Sequence, residues 1–372
     1  MPKKLTIRDI AELAGVSKST VSRVLNAKQD VDPATREHIL KVIEEHTFVL
    51  DMAASKLAGG RSRLIGSLIP SLAWPLMPEI MRGISEVVAQ SPYELILYSI
   101  THEQVHHDKE QRDIISRILH SNLASGILAV FPGPSICYLT ELYEEGFPVV
   151  IIDDRSEPTS VPWVSADNRL GAHAATKYLL QLGHRRIAHI QGPADYRASQ
   201  ERYLGYCDAL QEVGLAPDPD LVCPGGFTPT DGRSAASHFI TMPNRPTAIF
   251  ASNDHVAYDV LAAADEHGIR VPEQLSVVGF DDIAPSSYSR PPLTTVRQPF
   301  YEMGKQATEM LLALLERPST QRRLQIADSP YAPEIHPKAP QLNQMHSPTR
   351  VRMSTNLVER SSCSPYKGHI DC

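Results

Sequence analysis

The chain has 372 residues, 42% of them hydrophobic, and a formal net charge of −7, enough material for more than one packed domain. No apolar run reaches the ~18 residues of a membrane helix. The opening Met1-Pro2-Lys3-Lys4 leads straight into a polar pattern with no signal-peptide core, so a cytoplasmic protein with no membrane partner is expected. The five cysteines stand singly and no His-x-x-x-His is backed by a third ligand, which argues against disulfides and zinc. No metal and no cofactor is expected. The charge is unevenly divided: residues 1–63 carry eleven Lys and Arg against eight acids, a net +3, which leaves −10 for the rest. A basic end on an acidic body suits a protein that meets phosphates with one end only.

In chain order, residues 6–26 read as two short helices about a glycine turn. Ile7, Ile10, Ala11 and Ala14 recur at i, i+3, i+4 and i+7 and give the first helix one apolar side, and Gly15 permits the turn. On the second helix, at about 100° per residue, Lys18, Ser19, Ser22 and Arg23 share an arc of about 140°. Val21, Val24 and Leu25 lie opposite, and Ser17 stands where an N-cap belongs. One face is committed to a core, and the other carries donors that can reach base edges and phosphates. This is helix-turn-helix geometry, although an ordinary helical hairpin with a solvated polar face has the same spacing.

Asp32-Pro33 can cap and start a third helix whose buried side would be Ile39, Leu40 and Ile43. The segment 51–60 favours helix but spans only about two turns before its glycines. It is either a flexible linker or a hinge helix that orders on DNA, with Ala53 and Ala54 allowing two such helices to approach and Leu57 wedging into a base step. Beyond residue 63, short apolar runs alternate with amphipathic stretches. Strands are expected at 64–69, 94–99, 126–130, 149–152, 187–190, 248–251 and 276–280, and helices at 78–90, 168–182, 254–268 and 300–315. That alternation predicts an α/β fold, with parallel sheets covered by helices, and the run on either side of residue 165 suggests two similar lobes.

The run Thr6-Ile7-Arg8-Asp9-Ile10-Ala11-Glu12-Leu13-Ala14-Gly15-Val16-Ser17-Lys18-Ser19-Thr20-Val21-Ser22-Arg23-Val24-Leu25-Asn26 resembles the headpiece of the LacI family of bacterial transcription regulators. Further matches follow in order: Ile65-Gly66-Ser67-Leu68-Ile69-Pro70, Asp167-Asn168-Arg169-Leu170-Gly171-Ala172, Ala251-Ser252-Asn253-Asp254, Gly279-Phe280-Asp281-Asp282 and Leu293-Thr294-Thr295-Val296. The body resembles the periplasmic-binding-protein-like effector domain of that family. The resemblance covers roughly residues 5–316 and a piece near the end. It departs at Leu50-Asp51, where the family usually has Pro-Asn, and at Thr47-Phe48, where it has Gly-Tyr. What it implies is that Lys18, Ser19 and Arg23 read bases, that Thr6, Ser17, Thr20, Ser22 and Asn26 line the same DNA-facing surface, and that Ala54 and Leu57 act from the hinge.

Ligands of open α/β sheets bind beyond the carboxyl ends of strands. Asp153 and Asp254 each follow an expected strand, and a carboxylate there can grip a polyol through adjacent hydroxyls. Arg202 can donate a fork to the same ligand. The resemblance matches Arg202, Asp254 and Asp153 to effector-binding positions. Asp254 could instead cap its helix, Asp153 could pair with Arg155, and Trp74 could stack on a sugar or sit in the core. The pair Asp281-Asp282 reads as architectural rather than as acid–base machinery. Gly-x-Ser-x-Gly, Gly-x-x-x-x-Gly-Lys-Ser/Thr and Gly-x-Gly-x-x-Gly are all absent, so binding without turnover is the simpler account.

The family's closing strand signature appears at Met353–Cys363, after a segment, 324–350, rich in Pro, Gln and Ser that reads as an inserted, disordered loop. The expected organisation is a headpiece at 1–49, a hinge at 50–62, one lobe from 63–165 with 294–323, and a second from 166–293 with 351–363. The expected function is that of a homodimeric, sequence-specific repressor, not an enzyme. It would bind a pseudo-palindromic DNA operator under the control of a small-molecule effector, with a sugar favoured over a purine by the carboxylates. The competing expectation is a cytoplasmic sugar-binding protein or carbohydrate enzyme with an incidental helical cap.

Overall fold

Short helices are marginal without caps, and each helix at the N-terminal end has one. Thr6 and Asp9 form a reciprocal capping box at the start of α1 (Ile7–Leu13). Ser17 Oγ accepts from Thr20 N at 3.1 Å ahead of α2 (Lys18–Leu25). Asp32 Oδ2 accepts from Thr35 N at 3.0 Å at the start of α3 (Pro33–Glu45). Gly15, at φ +63, makes the turn between the first two, a conformation open to glycine at little cost. Ile10, Ala11, Ala14, Val21, Val24, Ile39 and Val42 close one small core. The third helix differs from expectation in one residue: Leu40 is 48% exposed, and Val42 takes its place inside. Ile39, Val42 and Ile43 follow i, i+3, i+4, which leaves Leu40 on the flank.

This computed structural model describes residues 5–25, 30–46, 48, 62–99, 123–132, 136–152, 160–194, 196–316 and 349–367. They fall into two units, Met1–Ser62 and Arg63–Cys372. Asn26, Ala54, Leu57, Asp153, the hinge at 50–61 and the segment 324–348 lie outside the described residues.

The second unit holds two sheets built on one plan. The first comprises β1 (Leu64–Ile69), β2 (Glu94–Ser99), β3 (Ala124–Val130), β4 (Val149–Ile152), β5 (Trp163–Ala166) and, from the far end of the chain, a late strand at Arg350–Met353. Between these strands run α4 (Met77–Ala89) and α5 (Ile136–Glu144). The second comprises β6 (Ile187–Gln191), β7 (Val222–Pro224), β8 (Ala248–Ala251), β9 (Ser276–Asp281), β10 (Thr294–Arg297) and a late strand at Asn356–Val358. Its helices are α6 (Asn168–Gln181), α7 (Arg197–Glu212), α8 (Arg233–Thr241) and α9 (Asp254–Glu266). With the late strands taken as β11 and β12, the orders are β11-β5-β4-β3-β1-β2 and β12-β10-β9-β8-β6-β7. Neighbours run parallel except for β12 against β10. Buried on both faces, the central strands are continuous apolar runs, as Val149-Val150-Ile151-Ile152 shows.

The lobe boundaries shift from the sequence reading at both late crossings. Thr294–Arg297 pairs with β9 and so belongs to the second sheet, while α10 (Phe300–Glu316) packs into the core of the first lobe with Ile80, Ile84 and Leu128. The crossing is therefore at Gln298-Pro299, not before Thr294. Likewise Arg350–Met353 pairs with β5 in the first sheet, and only Asn356 onward returns to the second. The cause is long-range pairing: Thr294 and Thr295 are fully buried on a strand held between β9 and β12, and a Thr-Thr-Val run cannot announce which sheet will cover it.

Close approach of α4 and α10 depends on two glycines. A Cβ on Gly83 would stand 2.1 Å from the Tyr301 carbonyl oxygen, and one on Gly304 2.3 Å from that of Ile80. Gly83→Ala is expected to force these helices apart and destabilise the second unit by about 1–3 kcal/mol, read as a lowered denaturant midpoint. An unchanged midpoint would show that the contact relaxes freely.

Candidate functional site

The surface of α2 carries its donors outward. Ser17, Lys18, Ser19 and Arg23 are exposed, Thr20 and Ser22 half-buried, and Val21 and Val24 are buried beneath them. Ser17 Oγ is committed to the cap and lies 2.7 Å from Ser19 Oγ and 2.8 Å from Thr20 Oγ1. Among the described residues Arg23 makes a solvent-exposed pair with Asp30, 3.5 Å away, which contributes little and is easily exchanged for a phosphate or a base edge. Thr6 is exposed, but its hydroxyl donates to Asp9 Oδ2 at 2.6 Å, so its first task is to start α1.

The second sheet has the strand order 7-6-8-9-10, which places a topological switch point between β6 and β8; the crevice beyond the carboxyl ends there is where such sheets bind ligands. Arg202, in the second turn of α7, points into that region and is 3% exposed. Its Nε donates to Asn168 Oδ1 at 2.9 Å and one terminal nitrogen to the Ser252 carbonyl just past β8. Its other terminal nitrogen stands 3.6 Å from Asp281 Oδ1. The guanidinium lies 3.8 Å from the Phe280 ring centroid and 5.6 Å from that of Phe227.

Phe227 is held in place by its own loop. Asp231 Oδ2 accepts from the backbone nitrogens of Phe227 and Thr228 at 3.1 and 2.8 Å, and Asn253 Nδ2 donates to the Phe227 carbonyl at 2.9 Å. Tyr196 meets the Phe227 ring edge-on, centroids 5.3 Å apart. Beside it, Ser199 Oγ is buried without a hydrogen-bond partner among the described residues. A buried hydroxyl of this kind beside the Phe227 ring is a polar group a ligand could use.

Asp254, the carboxylate matched by resemblance to an effector position, is occupied. It is 0% exposed. Ile283 N and Ser286 Oγ donate to Oδ2 at 2.9 and 2.6 Å, and Thr295 Oγ1 donates to Oδ1. The capping residue of α9 is the preceding Asn253, whose Oδ1 accepts from Val256 N. Burial, with Asp281 nearby, pushes the Asp254 carboxyl up to about 8. A carboxyl raised this way contributes stability that is whole below its ordinary value and lost as pH rises through about 8. Asp254→Asn, a neutral isostere, is therefore expected to gain melting temperature relative to the unaltered protein as pH is raised, with the gap widest above about pH 8. A gap independent of pH would contradict this.

Asp281 is the carboxylate that sequence reasoning passed over. It ends β9, is 8% exposed, and sits at φ +111, followed by Asp282 at φ +57. Non-glycine residues in that region store strain, which is characteristic of functional positions. The two neighbours divide the work. Asp282 takes Arg297 and Arg360, each at 2.6 Å, and ties β10 and the tail to the turn; Asp281 turns toward Arg202. A buried arginine demands a carboxylate, and Gly279-Phe280-Asp281-Asp282 at a strand end was the available signal. Trp74, past β1, is half-buried, packs against the first-lobe core and lies 5.6 Å from Phe131. It stands at the equivalent switch point of the first sheet, between β1 and β3.

Comparison with known proteins defines the class. Residues 6–50 match the bacterial regulatory proteins of the lacI family, and residues 176–331 match the periplasmic binding protein-like domain. A helix-turn-helix unit joined to a two-sheet ligand-binding body is a DNA-binding transcription regulator, not an enzyme. The HTH-type transcriptional repressor PurR of Vibrio atlanticus (strain LGP32) is 34% identical over 325 residues, covering 86% of this chain and 94% of that protein. The repressor CytR of Escherichia coli (strain K12) is 32% identical over 309 residues, 82% of this chain and 89% of its own. Among solved structures, the lac repressor dimer bound to operator and the anti-inducer ONPF matches with TM-score 0.77 and 25% identity over 97% of this chain and 100% of that one. The regulator CelR in complex with cellobiose matches with TM-score 0.66 and 27% identity over 96% and 99%. The chain belongs to the LacI family of transcriptional repressors. Among the described residues no helix is long and apolar enough to cross a membrane.

Proposed function

We propose that this repressor acts in the cytoplasm as a homodimer on a pseudo-palindromic operator, and that its DNA affinity is set by a small molecule held at the Arg202–Asp281 pair. The observation that carries the reading is the pair itself: buried, backed by the Phe227 platform, and beyond the strand ends of the second sheet. Trp74 is the contribution of the first lobe, and Asp153 remains a candidate on the sequence grounds alone. Asp254 supports the site by holding the turn after β9. A sugar is the first class to test, since one acceptor carboxylate, one donor fork and aromatic faces suit a neutral polyol, and the related CelR is found with cellobiose.

Thermal shift with cellobiose, ribose and adenosine as probes tests this. At least one is expected to raise the melting temperature of the unaltered protein, and Asp281→Asn is expected to abolish the rise. No rise with any probe, or a rise that survives Asp281→Asn, would count against it.

On the DNA side, Lys18, Ser19 and Arg23 read bases, with Ser22, Asn26 and the caps around them setting the register on the backbone. Ala54 and Leu57 act from the minor groove. Arg23→Ala is expected to cost about 1–3 kcal/mol of specific binding and to relax discrimination at the base it contacts. Gel shifts with the DNA upstream of the protein's own coding sequence, against random competitor, measure it. Equal loss on both DNAs would reduce Arg23 to a phosphate contact.

A further inference from the structure

Each member of the Arg202–Asp281 pair is held by an amide side chain that stands where the chain passes between the lobes. Asn168, 1% exposed, follows β5 by two residues; its Oδ1 accepts from Arg202 Nε at 2.9 Å and its Nδ2 donates to the Ala166 carbonyl at 3.3 Å. Gln298, 5% exposed, lies between β10 of the second sheet and α10 of the first lobe. Its Nε2 donates to Asp281 Oδ1 at 2.6 Å, and its backbone carbonyl accepts from Phe300 N at 3.0 Å where α10 begins. The carboxylate fixes which end of the amide is nitrogen. Gln298 Oε1 is buried without a partner among the described residues, so Asp281 alone holds the side chain by hydrogen bonding. The third passage, at Ser354-Thr355, is tied back to the first: Asp167 N donates to the Met353 carbonyl at 2.8 Å and Thr355 Oγ1 to that of Asp167 at 3.4 Å.

We propose that Asn168 and Gln298 are positioning residues that couple the Arg202–Asp281 pair to the passages between the lobes. The inference rests on the reading that this pair holds the effector. Hydrogen bonds to an ionised partner are about twice as strong as neutral ones. A ligand that donates to Asp281 or accepts from Arg202 shares out that charge and weakens the hold on both amides together. Gln298, with one bond to lose, is the member that turns most readily, and its backbone is the start of α10. A charge event in the second lobe is thereby delivered to the segment that enters the first.

Amide hydrogen exchange on the full chain tests the coupling with no ligand present. Gln298→Met and Asp281→Asn are each expected to raise exchange at Phe300 and Met303 by about tenfold, and the double variant to add less than about twofold to either, while β6 exchanges as before. The pair Asp281→Asn with Gln298→Glu reverses the polarity of the bond and is expected to restore protection to within about twofold of the unaltered chain. Asn168→Ala with Arg202→Met is expected to repeat the non-additive pattern at Gly171. Additive effects, absence of rescue by the reversed pair, or a rise that spreads equally to β6 would overturn the proposal. Non-additivity that persists while Asp281→Asn keeps a ligand-induced thermal shift would leave the coupling standing and remove the effector reading; loss of that shift with additive exchange would do the reverse.

Discussion

A guanidinium that is 3% exposed stays charged in a folded protein only if every side of it is answered. Arg202 is answered by Asn168, by the Ser252 carbonyl, by Asp281 and by two aromatic faces. Those partners come from the passage after β5, the loop after β8 and the end of β9, with Phe227 supplied from the loop after β7. One side chain therefore gathers most of the carboxyl edge of the second sheet, and the strained backbone at Asp281 and Asp282 is the conformation that lets one carboxylate face inward while its neighbour anchors the tail. Asp254 completes the frame from behind. Its oxygens collect the turn at Ile283, the hydroxyl of Ser286 and that of Thr295 in β10, and Gly279 is glycine because a Cβ there would stand 2.3 Å from Asp254 Oδ1.

The same strand order occurs twice, and the chain crosses between the two lobes at three points. A late strand added to each sheet, β11 and β12, closes both outer edges with residues from one short tail. This arrangement gives each lobe its own core while leaving the passages as narrow connections whose geometry can differ at small cost. Both polar members of the buried pair reach those connections through an amide. The first lobe offers its own aromatic pair, Trp74 and Phe131, at the matching switch point. The duplicated topology gives each lobe one switch point, and the proposed ligand site draws on both.

Much of this was readable in the amino-acid sequence, for physical reasons that also explain what was not. Continuous apolar runs such as Val149–Ile152 and Ala248–Ala251 mark buried parallel strands to the residue, because burial on both faces removes the ambiguity of alternation. The caps Ser17 and Asp32 were legible from local chemistry alone, whereas the capping box of Thr6 with Asp9 was not read. The three-residue β7, Val222–Pro224, was invisible: it is too short to show a period, and its proline suits only an edge. Leu40 was misplaced because the core-facing stripe of α3 runs through Ile39, Val42 and Ile43, which leaves Leu40 on its flank. Asp254 and Asp281 both follow strands, and only the folded chain shows that Asp254 is held by three donors around the turn after β9 while Asp281 faces Arg202 and Gln298. The ownership of Thr294–Arg297 and Arg350–Met353 depends on long-range pairing that no local pattern encodes.

The central claim is that one buried ion pair in the body governs occupancy of DNA by the headpiece. Its most direct test is a DNase footprint on the protein's own upstream region, with and without small-molecule extract from its host, using the unaltered repressor and Asp281→Asn. The account predicts that both proteins protect the same two half-sites, and that extract changes protection by the unaltered repressor but not by Asp281→Asn. Protection that responds to extract equally in both proteins would contradict it.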